Sequence, residues 1–215
     1  MGDESKTVLI TGCSSGIGRE TANHLAGKGW KVYATARRPE SIDELRAEGC
    51  ETLACDVTDE ASMSACVGAV EEAEGSVDVL VNNAGYSQSG PIEEVPIDAV
   101  RRQFETNVFG LMRLCQLVLP AMRAQRWGKI VNVSSMGGKL VFPGGGAYHA
   151  TKHAVEALSD ALRFEVRNFG IGVSIVEPGL IKTEFAHAAA NAIDEGTTSD
   201  GPYASFNREV AEKTI

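Results

Sequence analysis

Six short apolar runs recur along this chain: TVLIT (7–11), KVYATA (31–36), ETLACD (51–56), VDVLVNN (77–83), KIVNVSS (129–135) and GVSIVEP (172–178). Between them lie ETANHLAGKG, SIDELRAEG, EASMSACVGAVEEAEG, the long DAVRRQFETNVFGLMRLCQLVLPAMRAQ, and AYHATKHAVEALSDALRFEVRN, whose apolar residues fall at helical spacing. Short continuous apolar strands joined by helices mean βαβ units. The alternation therefore predicts an α/β fold, a doubly wound parallel sheet with helices on both faces. No repeat or linker interrupts it, so residues 1–215 are expected to form a single domain. From about residue 184 to 215 the pattern changes to AHAAANAIDEGTTSDGPYASF and EVAEKTI, small and polar, which predicts a mobile flap.

Charge narrows the partners. A formal net charge of -9 argues against a polyanion-binding surface, so nucleic acid is not expected. The five cysteines, Cys13, Cys50, Cys55, Cys66 and Cys115, lack C-x-x-C spacing and sit mostly in apolar runs. That pattern suits reduced buried thiols in a cytoplasmic protein, with neither a disulfide framework nor a metal site. The acidic start MGDESK has no apolar secretory core, and no apolar run reaches the length of a membrane span.

In such a sheet, ligands bind beyond the C-terminal strand ends where strand order reverses. After the first strand comes TGCSSGIG (11–18), opening a helix. The glycines either turn the chain or let its backbone approach a phosphate at the helix N-terminus; their place between strand and helix favours the phosphate. No G-K-[ST] follows, which excludes a P-loop here. The second strand ends in ATARR, with Arg37 where an NAD site usually carries an acid. NADP(H) is thus preferred and NAD(H) possible, while the alternative leaves Arg37 and Arg38 as solvated loop charges.

Tyr148 precedes Lys152 by four residues, on one face of a predicted helix. Alone, such a pair is more often a surface feature. Together with T-G-x-x-x-G-x-G at Thr11 to Gly18, CDV at 55–57, NNAG at 82–85, Asn107, Ser135 and the Pro178-Gly179 pair, it resembles the short-chain dehydrogenase/reductase family, in its compact Rossmann-type branch. The resemblance runs from Lys6 to about Thr183.

The resemblance implies a catalytic set. Tyr148 would be the general acid or base and contact the cofactor, Lys152 would lower its pKa and bind the nicotinamide ribose, and Ser135 would donate to the developing oxyanion. Asn107, either a core amide or by resemblance the holder of a relay water, completes it. For the cofactor, Gly12, Ser15, Gly16, Ile17 and Gly18 would line the pyrophosphate and adenosine side, with Arg37 on the 2′-phosphate. Asp56 and Val57 would meet the adenine, Asp56 being equally readable as a helix N-cap. Asn83, Ala84 and Gly85 would pass behind its ribose; Pro178, Gly179, Ile181 and Thr183 would hold the carboxamide.

KVYATARRP and SSMGGKLVFPGGGAYHATK look most like members acting on steroids, retinoids and related lipophilic ketones or alcohols. Met136, Leu140, Val141 and Phe142 are either pocket lining or packing. His149 lies about 100° round the helix from Tyr148 and reads as a neighbour, not a proton carrier. The resemblance implies a further strand and helix after the flap, which this sequence lacks, so a longer C-terminus is expected. It also implies a homodimer or homotetramer through the two long helices. A catalytically silent NADP(H)-binding regulator is the alternative function; a Rossmann-like methyltransferase would leave Y-x-x-x-K and NNAG without a purpose.

Overall fold

The structure, a computed structural model, describes residues 6–181 and 201–214. Strand β1 (Thr7–Ile10) leads through α1 (Gly16–Ala26) to β2 (Lys31–Ala36), and short α2 (Glu44–Ala47) leads to β3 (Cys50–Ala54). Then follow α3 (Glu60–Glu74), β4 (Val79–Asn82), α4 (Ile97–Phe104), α5 (Gly110–Gln125), β5 (Gly128–Val133), α6 (Gly146–Val166) and β6 (Ile171–Val176). Last comes α7 (Ala204–Thr214).

All six strands pair in parallel, in the order β3-β2-β1-β4-β5-β6. Strand order reverses between β1 and β4, which pair Val8 with Val79 and Ile10 with Val81. The crevice at their C-terminal ends is where such a sheet binds ligands. Side chains alternate across the pleat. Leu9, Leu80 and Ile130 pack with residues of α3, α5 and α6, such as Val67, Leu114 and Val155. Val8, Ile10, Val79 and Val81 face the other way, toward Ala22 of α1 and Leu45 of α2. The expected double covering of the sheet is present, and all five cysteines are buried within it as free thiols.

Three local expectations need correction. The pattern over 98–125 reads as one helix, and it is continuous, but Glu105–Phe109 form a π turn between α4 and α5. The Gly110 N–H closes that turn on the Glu105 carbonyl, an extra residue inserted where Asn107 must face inward. Asp56 is not a helix N-cap: Asp59 caps α3, its carboxylate accepting from the Ser62 N–H at 2.9 Å. The tail is not all irregular either, because α7 docks on the body. Tyr203 donates to Glu93 at 2.6 Å, and Asn207 to Glu94 at 3.3 Å. Thr183 and the stretch 184–200 lie outside the described residues. Among those described, β6 pairs only with β5 and forms a sheet edge, with Val176 42% exposed.

Candidate active site

The C-terminal strand ends open into a cleft of about 670 Å³. Its floor at β1 is held by Thr11 and Asn83. The Thr11 hydroxyl accepts from the N–H groups of both Asn83 and Ala84 at 3.0 Å, while the Asn83 amide donates to the Thr11 and Gly12 carbonyls at 2.9 and 3.0 Å. This lacing explains the glycines. Gly12 has φ +71°, and a Cβ on Gly18 would lie 2.5 Å from the Gly12 carbonyl oxygen. Ser15 starts α1 without a side-chain cap, so the first-turn N–H groups of this helix remain available to an anion in the cleft. A dinucleotide pyrophosphate fits that cradle.

Gly12, Ser15, Gly16, Ile17, Arg37, Asp56, Val57, Asn83, Ala84, Gly85, Ser135, Tyr148, Lys152, Pro178, Gly179 and Ile181 all line the cleft. Gly18 lies behind the loop, buried, and acts by allowing its close approach. Asp56 turns its own loop, accepting at 2.9 and 2.7 Å from the N–H and hydroxyl of Thr58. Of the four apolar candidates, Met136 and Phe142 line the cleft; Leu140 and Val141 point to solvent, 53% and 68% exposed.

At the opposite end from Arg37, β5 and α6 bring Ser135, Tyr148 and Lys152 together. Burial raises the Tyr148 phenol above its ordinary value, and a hydrogen bond with the Ser135 hydroxyl opposes that rise. Burial and Ser135, not Lys152, set the direction of the Tyr148 shift. Lys152 directs its ammonium to the Val133 carbonyl, 2.8 Å away, and stands 5.7 Å from the centre of the Tyr148 ring. Its own burial drops it from 10.5 to about 8, against the pull of Glu156 one helical turn on.

Asn107 does not line the cleft but braces it from behind. Its Nδ2 donates to the Tyr86 carbonyl at 2.9 Å and to the Thr151 hydroxyl at 3.1 Å. Its Oδ1 accepts from the Tyr86 N–H at 3.1 Å. A Cβ on Gly85 would sit 3.1 Å from that oxygen and 3.8 Å from the Lys152 ammonium, so both groups lie beneath Gly85.

Sequence reasoning missed several contributors. A buried polar ladder runs Asn82 to Asn132 at 3.0 Å, Asn132 to Ser159 at 2.8 Å and Ser159 to the Val155 carbonyl at 2.6 Å, joining β4, β5 and α6 under the site. At cleft-lining Tyr86, burial raises the phenol while the guanidiniums of Arg102 and Arg37 pull it down. Arg102 has no motif spacing that could have announced it.

The short chain dehydrogenase family model matches residues 6–194. The chain is 43% identical over 183 residues to a 3-ketodihydrosphingosine reductase of Bacteroides thetaiotaomicron, covering 85% of this chain and 66% of that protein's length. A short-chain dehydrogenase/reductase from Burkholderia phymatum in complex with NAD superposes with TM-score 0.86 at 30% identity, covering 100% of this chain and 79% of the other. Actinorhodin polyketide ketoreductase with NADPH superposes with TM-score 0.82 at 36% identity, covering 98% and 83%. These matches leave the methyltransferase reading without support. The parallel sheet, the glycine cradle at its switch point and the Ser135–Tyr148–Lys152 end of the cleft thus have one common explanation: the chain belongs to the short-chain dehydrogenase/reductase family, oxidoreductases acting on alcohol and ketone groups.

Proposed function

We propose that this chain moves hydride between NADP(H) and a lipophilic ketone or secondary alcohol, with Tyr148 as the proton-transferring group. The observation that carries the reading is the meeting of Ser135, Tyr148 and Lys152 in one cleft whose far end is lined by Arg37. The bound nicotinamide would supply the hydride. Gly12, Ser15, Gly16 and Ile17 would hold the pyrophosphate on α1. Asp56 and Val57 would flank the adenine, Asn83, Ala84 and Gly85 would back the ribose, and Pro178, Gly179, Ile181 and Thr183 the carboxamide.

The raised pKa of Tyr148 keeps its hydroxyl protonated at neutral pH, as a general acid for carbonyl reduction requires. Ser135 hydrogen-bonds the Tyr148 hydroxyl and supports a second donor to the oxyanion, worth about 3 kcal/mol in a preorganised site. Burial brings Lys152 down to about 8 while its ammonium stays on the Val133 carbonyl, and Asn107 braces the adjoining Thr151. The cations Arg37 and Arg102 favour a 2′-phosphate, and the NADPH in the ketoreductase neighbour supports that choice. The sphingoid ketone named for the Bacteroides relative supports a lipophilic substrate, as do Met136 and Phe142 in the cleft wall.

Phe109 and Met112, at the π turn and α5, and Phe164 on α6 are 48%, 37% and 67% exposed, which supports self-association through these helices; light scattering that gives a monomer would end that proposal. The functional test is NADPH oxidation at 340 nm with a panel of long-chain and cyclic ketones, beside Tyr148→Phe and with NADH. Turnover that vanishes in the variant supports the reading. Tight NADPH binding without turnover on any ketone favours the silent regulator.

A further inference from the structure

Next to the proton-transferring Tyr148 stands a histidine whose ring nitrogens are both spent on backbone. His149 is 6% exposed. The Phe142 N–H donates to its Nε2 at 3.1 Å, so that nitrogen carries no proton. Its Nδ1 lies 3.1 Å from the Gly137 carbonyl and must be the one that donates. A single neutral tautomer satisfies both partners. Gly137 and Gly145 close over the ring: a Cβ on Gly145 would be 2.5 Å from Nε2, and one on Gly137 would collide with Nδ1. The ring also meets those of Phe142 and Tyr148, centroids 5.6 and 5.7 Å apart.

These contacts lead to the reacting groups. The Gly137 peptide that His149 grips on its carbonyl side donates its own N–H to the Ser135 hydroxyl oxygen at 3.0 Å, and Ser135 bonds Tyr148. Phe142, gripped on the other ring nitrogen, lines the cleft together with Pro143 and Gly144. Gly144 in turn packs beneath Val210 of α7.

We propose that His149 is the positioning residue of the substrate end of the cleft: as the neutral Nδ1–H tautomer it pins the 137–145 segment to α6, aligning Ser135 and seating the Phe142 wall, and protonation releases both. An imidazolium presents Nε2–H to the Phe142 N–H, two donors face to face in a buried site. Release of the wall and loss of Ser135 alignment therefore occur together as pH falls. The titratable groups around it are Tyr148 and His153 on α6, and Lys139 on the pinned segment, the last engaged by Glu156 at 2.8 Å and Glu177 at 3.5 Å. Burial and His153 both disfavour the imidazolium, while the Gly137 contact acts the other way. Thus the pinned form is the one present at neutral pH.

The proposal rests on the reading that a carbonyl substrate occupies this end of the cleft, so its test needs a readout independent of turnover. Amide hydrogen exchange of 139–145, corrected for intrinsic exchange rates, would be followed from pH 5 to 8 in wild type, His149→Gln and His149→Phe. A carboxamide supplies one donor and one acceptor at every pH. Wild type should lose protection of the Phe142 amide as His149 titrates, while the glutamine variant should keep it throughout and the phenylalanine variant should lack it at all pH values. In the ketone assay, wild type should lose about tenfold in kcat/KM at acid pH, the equivalent of one hydrogen bond, with NADPH affinity unchanged. The glutamine variant should lack this acid limb. Protection of Phe142 that does not change across the histidine titration, or an acid limb retained in His149→Gln, overturns the proposal. Absence of turnover in wild type would instead count against the function, with the exchange data still deciding the role of His149.

Discussion

Asn107 satisfies both backbone groups of Tyr86, accepting from its N–H at 3.1 Å and donating to its carbonyl at 2.9 Å, as a neighbouring strand would. The pairing is possible because the π turn rotates Asn107 into the body of the protein, where its second N–H reaches Thr151 on α6. One amide thereby ties together the loop after β4, the long helix and the helix that carries Tyr148 and Lys152. Asn107→Ala leaves the Tyr86 groups without these partners, and should cost about 3 kcal/mol. Urea unfolding measures it, and the same variant should turn over more slowly because Thr151 and Lys152 lose their brace.

Tyr148→Phe removes the proton donor while keeping the ring against His149. The hydroxyl sits in a cleft with Ser135, so turnover should fall about 10²- to 10⁴-fold. NADPH affinity, read by fluorescence titration, should stay near wild type. A variant that kept its turnover would place the chemistry elsewhere.

Lys152 gives a pH signature in stability. Its pKa in the folded chain, about 8, lies below its ordinary 10.5, so the unfolded chain holds more protons between those values. The cost of burying the ammonium is therefore complete below pH 8 and is relieved as pH rises toward 10.5. Compared with Lys152→Met, wild type should gain about 3 kcal/mol across that window. Denaturant midpoints at pH 7 and 10.5 measure the difference; a constant offset would show that the depression is absent.

Arg37→Ala should weaken NADPH binding about tenfold to a hundredfold, the range of a charge-assisted hydrogen bond to phosphate, and leave NADH within about twofold. Arg102→Ala should show a smaller loss of the same sign. Isothermal titration of both cofactors separates these effects from a general loss of the site.

Gly18→Ala tests the cradle. The added methyl meets the Gly12 carbonyl oxygen at 2.5 Å, backbone that Asn83 holds in place. The loop must shift, so dinucleotide binding should be lost and the thermal midpoint should fall, with a cost of about 1–3 kcal/mol.

Much of this architecture is legible along the chain, because hydrophobic period and strand-to-helix alternation are local properties. They sufficed for the parallel sheet, its two covered faces, the glycine turn after β1 and the tyrosine and lysine sharing one face of α6. What spacing could not carry was which polar atoms would meet. Asp59, not Asp56, caps α3 because the β3–α3 loop turns on Asp56 first. Thr11 finds Asn83, 72 residues away, only once β1 and β4 lie side by side. The inward turn of Asn107, the grip of His149 on Gly137 and Phe142, and the burial that raises Tyr148 while lowering Lys152 belong to the same class. Desolvation and hydrogen-bond partnership depend on what packs against a group, so composition and local order determined the frame, and tertiary packing decided the protonation and alignment of the groups inside it.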